Sequence, residues 1–379
     1  MASVVPAAPL TGLRERWRSL RDSLLSSPRF QRLATAFPLT RPLARRRAHD
    51  LFDLCAGFVY TQVLYSCVRL RVFQHVAAGP LSVAQLAART QLPARGAERL
   101  LRAAAALRLV ETRGADRYGL GALGAALLGN PGVLAMVEHH ALLYGDLADP
   151  LPLLRGERSE RALSSYWGYA EGARPAELTA EQVAPYSALM SASQHFVANE
   201  ILDAYPLHRH RVLLDVAGGE GTFIISAAAR APDLRLVVFD LPAVAERAQA
   251  RLVAAGLAAR ASAVGGSFHE DPLPAGADLI TLIRVAYDHD DGRVLALLKR
   301  IHAALPPDGT LLLAEPMRAD GRADPMADAY FGFYLLAMGR GCARSFEEFR
   351  ALLRAAGFSR VAPLRSRAPL LTSLITARR

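Results

Sequence analysis

From residue 211 onward, short apolar runs alternate with helix-like segments, and few architectures accept that order. VLLDVAG is followed by a helix to Arg230, LRLVVFDLP by a helix to about Ala258, and then come ASAVGGSF, DLITLIRV and GTLLLAEP, with a helix expected over 291–304. Apolar strands, each followed by a helix, predict an α/β fold with a parallel, doubly wound sheet buried on both faces. On such a sheet, ligands bind at the carboxyl ends of the strands.

The segment LLDVAGGEGTF (213–223) sits at one of those ends. Gly218, Gly219 and Gly221 let the backbone approach a ligand where a side chain would collide. Asp240 closes the next strand about 20 residues on, where a carboxylate accepts both hydroxyls of a ribose. Turn, strand and acid together point to a nucleoside. A dinucleotide would call for a G-x-G-x-x-G turn holding pyrophosphate on the helix N-terminus. The acids Asp215 and Glu220 would repel that group, and they suit a cationic ligand such as the sulfonium of S-adenosylmethionine.

The remainder divides by texture into a basic extension (1–50), a helical region (51–205) and the sheet domain (206–379). In the helical region, Ser82 is placed to cap one short helix and Pro93 to start a second, and RLVETRGADRYGL reads as a hairpin. Helix, turn, helix and wing is the order of a winged helix. Residues 131–205 add His139, His140, Tyr144, Tyr166, Trp167, Tyr169 and His195. The net charge of +10 is almost all arginine, since Lys299 is the only lysine, and residues 1–50 hold ten arginines against Glu15, Asp22 and Asp50.

Composition excludes several classes. A hydrophobic share of 52% against 21% charged rules out wholesale disorder. Cys55, Cys67 and Cys342 are odd in number and far apart, so no disulfide framework or metal set is expected, and a reduced, cytoplasmic protein is. VVPAAPL is short and precedes the arginines, unlike a signal peptide. LFDLCAGFVYTQVLYSCVRL (51–70) is the one candidate span, but Asp53, Gln62 and Arg69 favour a buried helix at a domain or dimer core.

DVAGGEGTF, VVFDLPAVAERA, GSFHEDPLPAGADLITLIRV and LLLAEPM together resemble the S-adenosylmethionine-dependent O-methyltransferases of the caffeate and acetylserotonin kind, over roughly residues 51–379. FDLCAGFVYTQVLYSCVRLRVF and RVAYDHDD more closely resemble the bacterial carotenoid methyltransferases of the spheroidene pathway, which methylate a 1-hydroxy group. The resemblance implies a Rossmann-like methyltransferase sheet behind an N-terminal winged-helix dimerisation domain, a homodimer, and an apolar hydroxy-carotenoid substrate. It places Gly218 and Gly219 at the methionine part, Asp240 and Leu241 at the ribose, Ser267 and Phe268 at the adenine, and Arg284 as a cofactor-side basic residue.

RVAYDHDDGRVL (284–295) departs from the family. Where the family reads L-H-D-W-x-D, Tyr287 takes the place of the histidine base, Asp288 matches the aspartate and His289 replaces the tryptophan. Glu315 fits the glutamate that orients the base, while the second glutamate would fall near Ala343. A phenol near pKa 10 gains from a positioned histidine, but a tertiary alcohol loses its proton late, as the methyl group arrives. Tyr287 is then expected to hold the hydroxyl, with Asp288, His289 or His195 accepting the proton. Asp290 and Asp291 precede a helix and suit capping, and no metal site is expected.

Two alternatives stand beside this expectation. One is the same fold acting on a phenol or on a tetrapyrrole carbon. The other is a winged-helix regulator reading DNA through Arg95, Arg99 and Arg102, which would leave the cofactor motif without a use, so no nucleic-acid partner is expected. Finally, Leu13, Trp17, Leu20 and Leu24 share one helical face, with Arg14, Arg16, Arg18 and Arg21 largely off it. That pattern over residues 11–25 suits peripheral contact with an inner or photosynthetic membrane, or packing on a dimer partner.

Overall fold

A computed structural model describes residues 12–157, 161–166, 180–321, 323–366 and 372–379. The chain divides into two compact units, Met1–Gly119 and Leu120–Arg379. Trp167 and Tyr169 lie outside the described residues.

The first unit opens with three helices, α1 (Leu13–Ser26), α2 (Pro28–Ala36) and α3 (Arg41–Arg69), so the helix expected over residues 11–25 is followed by further helix through the rest of the basic extension. Along α3 only Cys67 and Val68 are buried. It is the one helix among the described residues long and apolar enough to cross a membrane. Its apolar side chains Leu51, Phe52, Leu54 and Phe58 are exposed on the single chain, so of the two places expected for this helix, a domain core or a dimer core, the first is not where this stretch lies.

After α4 (Val72–Ala77) comes the expected wing. Strand β1 (Leu81–Ser82), helices α5 (Val83–Thr90) and α6 (Ala94–Ala106), and strands β2 (Val110–Arg113) and β3 (Arg117–Leu120) form a small sheet of order β1-β3-β2. Ser82 caps α5 through a full capping box with Gln85. Helix α6 buries Ala97, Leu101 and Ala104, spaced four and three apart, and leaves Arg95, Arg99 and Arg102 exposed.

In the second unit, helices α7 (Ala122–Leu128), α8 (Pro131–Asp146), α9 (Leu151–Leu154), α10 (Ala162–Tyr166) and α11 (Ala180–Ala204) precede the large sheet. Its parallel strands are β4 (Val212–Val216), β5 (Arg235–Asp240), β6 (Ala261–Gly265), β7 (Leu279–Ile283) and β8 (Thr310–Glu315). Helices α12 (Thr222–Arg230), α13 (Pro242–Ala254) and α14 (Asp291–Ala304) connect them. A short pair, β9 (Met317–Arg318) with β10 (Arg344–Ser345), brackets a π-helical turn (Pro325–Phe331) and helix α15 (Gly332–Met338); helix α16 is Phe346–Ala355. The sheet closes with β11 (Ser359–Leu364) and β12 (Ser373–Arg378), both antiparallel, giving the order β11-β12-β8-β7-β4-β5-β6. It is therefore mixed at one side, and the final strands had no counterpart in the sequence reading.

Strand periodicity sorts the core. Leu213, Leu236, Val238, Leu279 and Leu312 pack on one face with α11, α12 and α13. Leu214, Val216, Ile280, Leu282 and Leu313 pack on the other with α14 and α16. Successive side chains along a strand point to opposite faces, so a run such as LITLI, buried throughout, needs helices on both sides. Strand β4 has β5 on one side and β7 on the other, which makes its carboxyl end the switch point of the sheet.

Candidate active site

The glycine turn leaves β4 at that switch point. Asp215, the penultimate residue of the strand, is buried, and its Oδ1 accepts a 2.7 Å bond from the Thr281 hydroxyl on β7. A Cβ on Gly218 would stand 2.6 Å from Asp215 Oδ2, so the turn can pass over this carboxylate only with glycine there. Asp240 ends β5, its Oδ2 accepting from Gly219 N–H and its Oδ1 from Leu241 N–H, both at 2.7 Å. The acid therefore fastens the turn while keeping lone pairs for a ligand.

Burial pushes Asp215 up to about 7, with Thr281 opposing and Asp240 adding to the rise. Burial also raises Asp240 to about 6, against the two N–H donors. Both carboxyls are poised near neutrality, an arrangement that a cationic ligand would shift to the ionised form.

A single cavity joins these residues to the ends of β6 and β7. Asp215, Gly218, Gly219, Asp240, Leu241, Ser267, Phe268, Arg284, Asp288 and His289 all line it. Gly221 does not line it. That residue adopts φ 77° at the start of α12 and backs onto Val238 and Leu252, so its work is the turn itself. A cradle closed by glycine at one end, with two near-neutral carboxyls beside it, fits a ligand bearing both a ribose and a positive charge.

Glu220 plays a different part from the cation-attracting one expected. It is buried, and Arg247 (2.6 Å) and Arg251 (2.9 Å) pair with it. The Ser191 hydroxyl donates to it at 3.1 Å. Burial alone would raise its pKa, but Arg247, Ser191 and Arg251 outweigh that and hold it low. Its charge is spent on tying the turn to α11 and α13.

The block after β7 is held from two sides. Arg284 leaves the strand with φ 58°, a left-handed conformation uncommon for any residue but glycine and frequent near functional sites. Glu315, fully buried at the end of β8, accepts from the N–H groups of Val285 (2.9 Å), Ala286 (2.7 Å) and Tyr287 (3.3 Å). Burial raises it to about 7 despite those donors. It orients a stretch of backbone.

From the other side comes Arg344, which is 1% exposed. Its guanidinium donates to Ala286 O (2.8 Å), His289 O (2.7 Å) and Asp291 Oδ1 (2.7 Å). Asp290 caps α14 as expected, accepting from Arg293 N–H at 2.9 Å, whereas Asp291 is the counter-ion of Arg344. Gly341, at φ 83°, lies so close to the Tyr287 carbonyl that a Cβ would overlap it.

Tyr287 is buried, its ring set edge-on to Phe331 at 6.0 Å. Asp288 faces the cavity, and its Oδ1 is buried with no hydrogen-bond partner among the described residues. Burial and the nearby Glu315 push its pKa well above the usual carboxylate value, against Arg284 and the Tyr287 bond. His289 lines the cavity at the Phe268 end. His195 is exposed on α11 and does not line the cavity, although Ser191 and Gln194 of the same helix do.

Two features lay beyond sequence reasoning. Arg344 has no motif around it. The second is a pair of His–Tyr contacts between α8 and the 325–338 segment, His139 Nε2 with Tyr334 (2.9 Å) and His140 Nε2 with Tyr330 (2.7 Å). Burial lowers both histidines, His139 to about 4, so both are neutral. The adjacent histidines and the four-residue spacing of the tyrosines were the available signal.

Known proteins share the fold and much of the sequence. A family model described as an O-methyltransferase domain matches residues 144–359, and one described as an O-methyltransferase dimerisation domain matches residues 52–130, which supports a homodimer. Demethylspheroidene O-methyltransferase of Cereibacter sphaeroides is 44% identical over 354 residues, covering 93% of each chain. Acetylserotonin O-methyltransferase of Mus musculus is 31% identical, covering 87% of this chain and 89% of its own length. The crystal structure of human N-acetylserotonin methyltransferase in complex with S-adenosylmethionine superposes with a TM-score of 0.74 at 26% identity, over 88% of this chain and 97% of that one. A cavity shaped for a cationic nucleoside and these likenesses converge: the chain belongs to the dimerising O-methyltransferase family, and it is an S-adenosylmethionine-dependent O-methyltransferase.

Proposed function

We propose that the protein methylates the tertiary 1-hydroxyl of an acyclic carotenoid. The observation that carries this is the likeness to demethylspheroidene O-methyltransferase over nearly the whole chain, in a site with Tyr287 where the resemblance leads one to expect a histidine base. An alcohol of this kind needs orientation and exclusion of water more than a strong base, and a buried tyrosine beside a buried carboxylate suits that demand.

In this reading, Asp240 holds the ribose, with Leu241 beside it, and Gly218 and Gly219 let the turn close on the methionine part. Ser267 and Phe268 border the adenine, and Arg284 and Asp215 set the charge around the amino-acid end. S-adenosylmethionine supplies an electrophilic methyl group on sulfur. The Tyr287 hydroxyl would orient the substrate oxygen, and the Asp288 carboxylate would receive its proton as the methyl group's bond to sulfur breaks and its bond to that oxygen forms. The oxygen becomes strongly acidic as it is methylated, so a carboxylate suffices. Asp288 is preferred to His289, whose pKa burial lowers to about 3, and to the exposed His195.

The exposed apolar row of α3 begins the stretch matched by the dimerisation model, and a second copy covers it in this reading. Helix α1 touches an anionic membrane surface on the cytoplasmic side, from which a lipid-dissolved substrate is drawn. The test is turnover with methyl-labelled cofactor, using dispersed 1-hydroxy-carotenoids, phenols such as acetylserotonin, and a tetrapyrrole. Labelled methyl ether from the carotenoid supports the proposal, and label only in a phenol or on a tetrapyrrole carbon overturns it.

A further inference from the structure

The largest fully buried side chain among the described residues is a charged one. Arg344 is 1% exposed, while its carboxylate partner Asp291 is 73% exposed. A buried ion pair is a weak source of stability, because desolvation offsets much of the attraction and an apolar side chain of similar volume often serves as well. What an apolar residue cannot do is donate in several fixed directions at once.

Arg344 does so. Its Nη1 donates to Ala286 O (2.8 Å) and Cys342 O (3.3 Å), its Nη2 to His289 O (2.7 Å) and its Nε to Asp291 Oδ1 (2.7 Å). Cζ lies over the Phe349 ring, 5.8 Å from the centroid, which supports the plane of the fork. The carbonyls of Ala286 and His289 flank Tyr287 and Asp288, and the Tyr287 carbonyl between them accepts from Cys342 N–H at 2.9 Å. Glu315 holds N–H groups of the same stretch.

A few residues before this grip, Met338 and Arg340 line the cavity that Asp288 also lines. One short segment, 338–344, therefore supplies part of the cavity wall and fixes the backbone that carries Tyr287 and Asp288. A misplacement of about 1 Å can slow a reaction roughly a hundredfold. Resting on the roles given above to Tyr287 and Asp288, we infer that Arg344 is a positioning residue for methyl transfer, whose planar fork fixes the place of that pair through the carbonyls of Ala286 and His289.

The test separates the fork from the charge. Arg344→Lys keeps the charge, but a lysine cannot meet these acceptors together. With methyl-labelled cofactor and dispersed 1-hydroxy-carotenoid, well below the Tm of each protein, its kcat should fall about tenfold to a hundredfold. Affinity for S-adenosylhomocysteine should change less than about threefold, and hydrogen exchange at the 285–289 amides should quicken while that of β4 and β5 stays as in wild type. Asp291→Ala frees one prong from the exposed side and should lower kcat less, about threefold. Asp290→Ala, which removes the cap of α14 and leaves the fork intact, should lower the Tm and keep the wild-type kcat. Wild-type kcat in Arg344→Lys and Asp291→Ala, or an equal loss in Asp290→Ala, overturns the inference. So does a loss of cofactor affinity as large as the loss of kcat. If wild type methylates acetylserotonin and not the carotenoid, the carotenoid reading fails, and the same kcat comparison on acetylserotonin decides the role of Arg344.

Discussion

Tyr287 packs edge-on to Phe331, and burial, reinforced by the charge of Asp288, raises its pKa well above the ordinary phenol value. The hydroxyl therefore stays protonated at every working pH, able to orient a substrate oxygen and unable to act as a free phenolate base. Tyr287→Phe is expected to keep cofactor affinity and to lower turnover on the order of tenfold to a thousandfold. A wild-type rate in that variant would reduce the residue to a packing role in the buried cluster with Tyr334 and Met338. Asp215 and Asp240 carry a second prediction. Their carboxyls sit at about 7 and about 6 without ligand, and a sulfonium beside them favours the ionised forms, so binding expels protons. Affinity for S-adenosylmethionine should fall as pH drops from 7.5 to 5.5, and affinity for the uncharged-sulfur product should fall less. Calorimetry in two buffers of different ionisation enthalpy reads the proton release, and equal pH dependence for both ligands would remove the electrostatic role.

Between the elements, Glu220 is the tie that matters most. It joins α11, the glycine turn and α13 through Ser191, Arg247 and Arg251. Its low pKa means this contribution is present above the ordinary glutamate range and is lost as pH falls through its folded value. Glu220→Gln should cost about 1–3 kcal/mol, because two part-buried guanidinium groups lose their counter-charge. Thermal unfolding should register this as a lower Tm, with cofactor binding stabilising the variant less than wild type. An unchanged Tm would mean the arginines are served by solvent. The same elements mark what could be read from sequence. Asp240 and Gly218 were legible because a strand, a tight turn and an acid at the next strand end are encoded locally. The neutralisation of Glu220 was not, since Arg247 and Arg251 lie 27 and 31 residues away and approach only after α13 packs. Arg344 was illegible for the same reason: its partners at 286, 289 and 291 are brought to it by the fold. Strand β12 escaped because its pairing with β8 is antiparallel and long-range, outside the strand–helix alternation that revealed the others.

At the scale of the whole molecule, the N-terminal helices present exposed apolar side chains. Leu13, Trp17, Leu20 and Leu24 are 80%, 69%, 53% and 44% exposed along one face of α1, as the sequence spacing led one to expect. The dimerisation model begins at residue 52, within α3, and does not include α1 or α2. Arg14, Arg16, Arg18 and Arg21 flank the apolar face, and each arginine near an anionic bilayer adds about 1 kcal/mol, screened by salt. Burial of Trp17 and three leucines at the headgroup boundary adds the apolar part. The full-length protein is therefore expected to sediment with anionic vesicles at low salt and to be released at high salt. A form starting at Arg41 keeps α3 and every residue matched by the family models. It should remain dimeric, bind the cofactor, and turn over detergent-dispersed substrate nearly normally, while no longer sedimenting. Loss of the dimer in that form, or indifference of both forms to vesicles, would assign α1 and α2 to the partner subunit. The bilayer would then have to deliver its substrate without them.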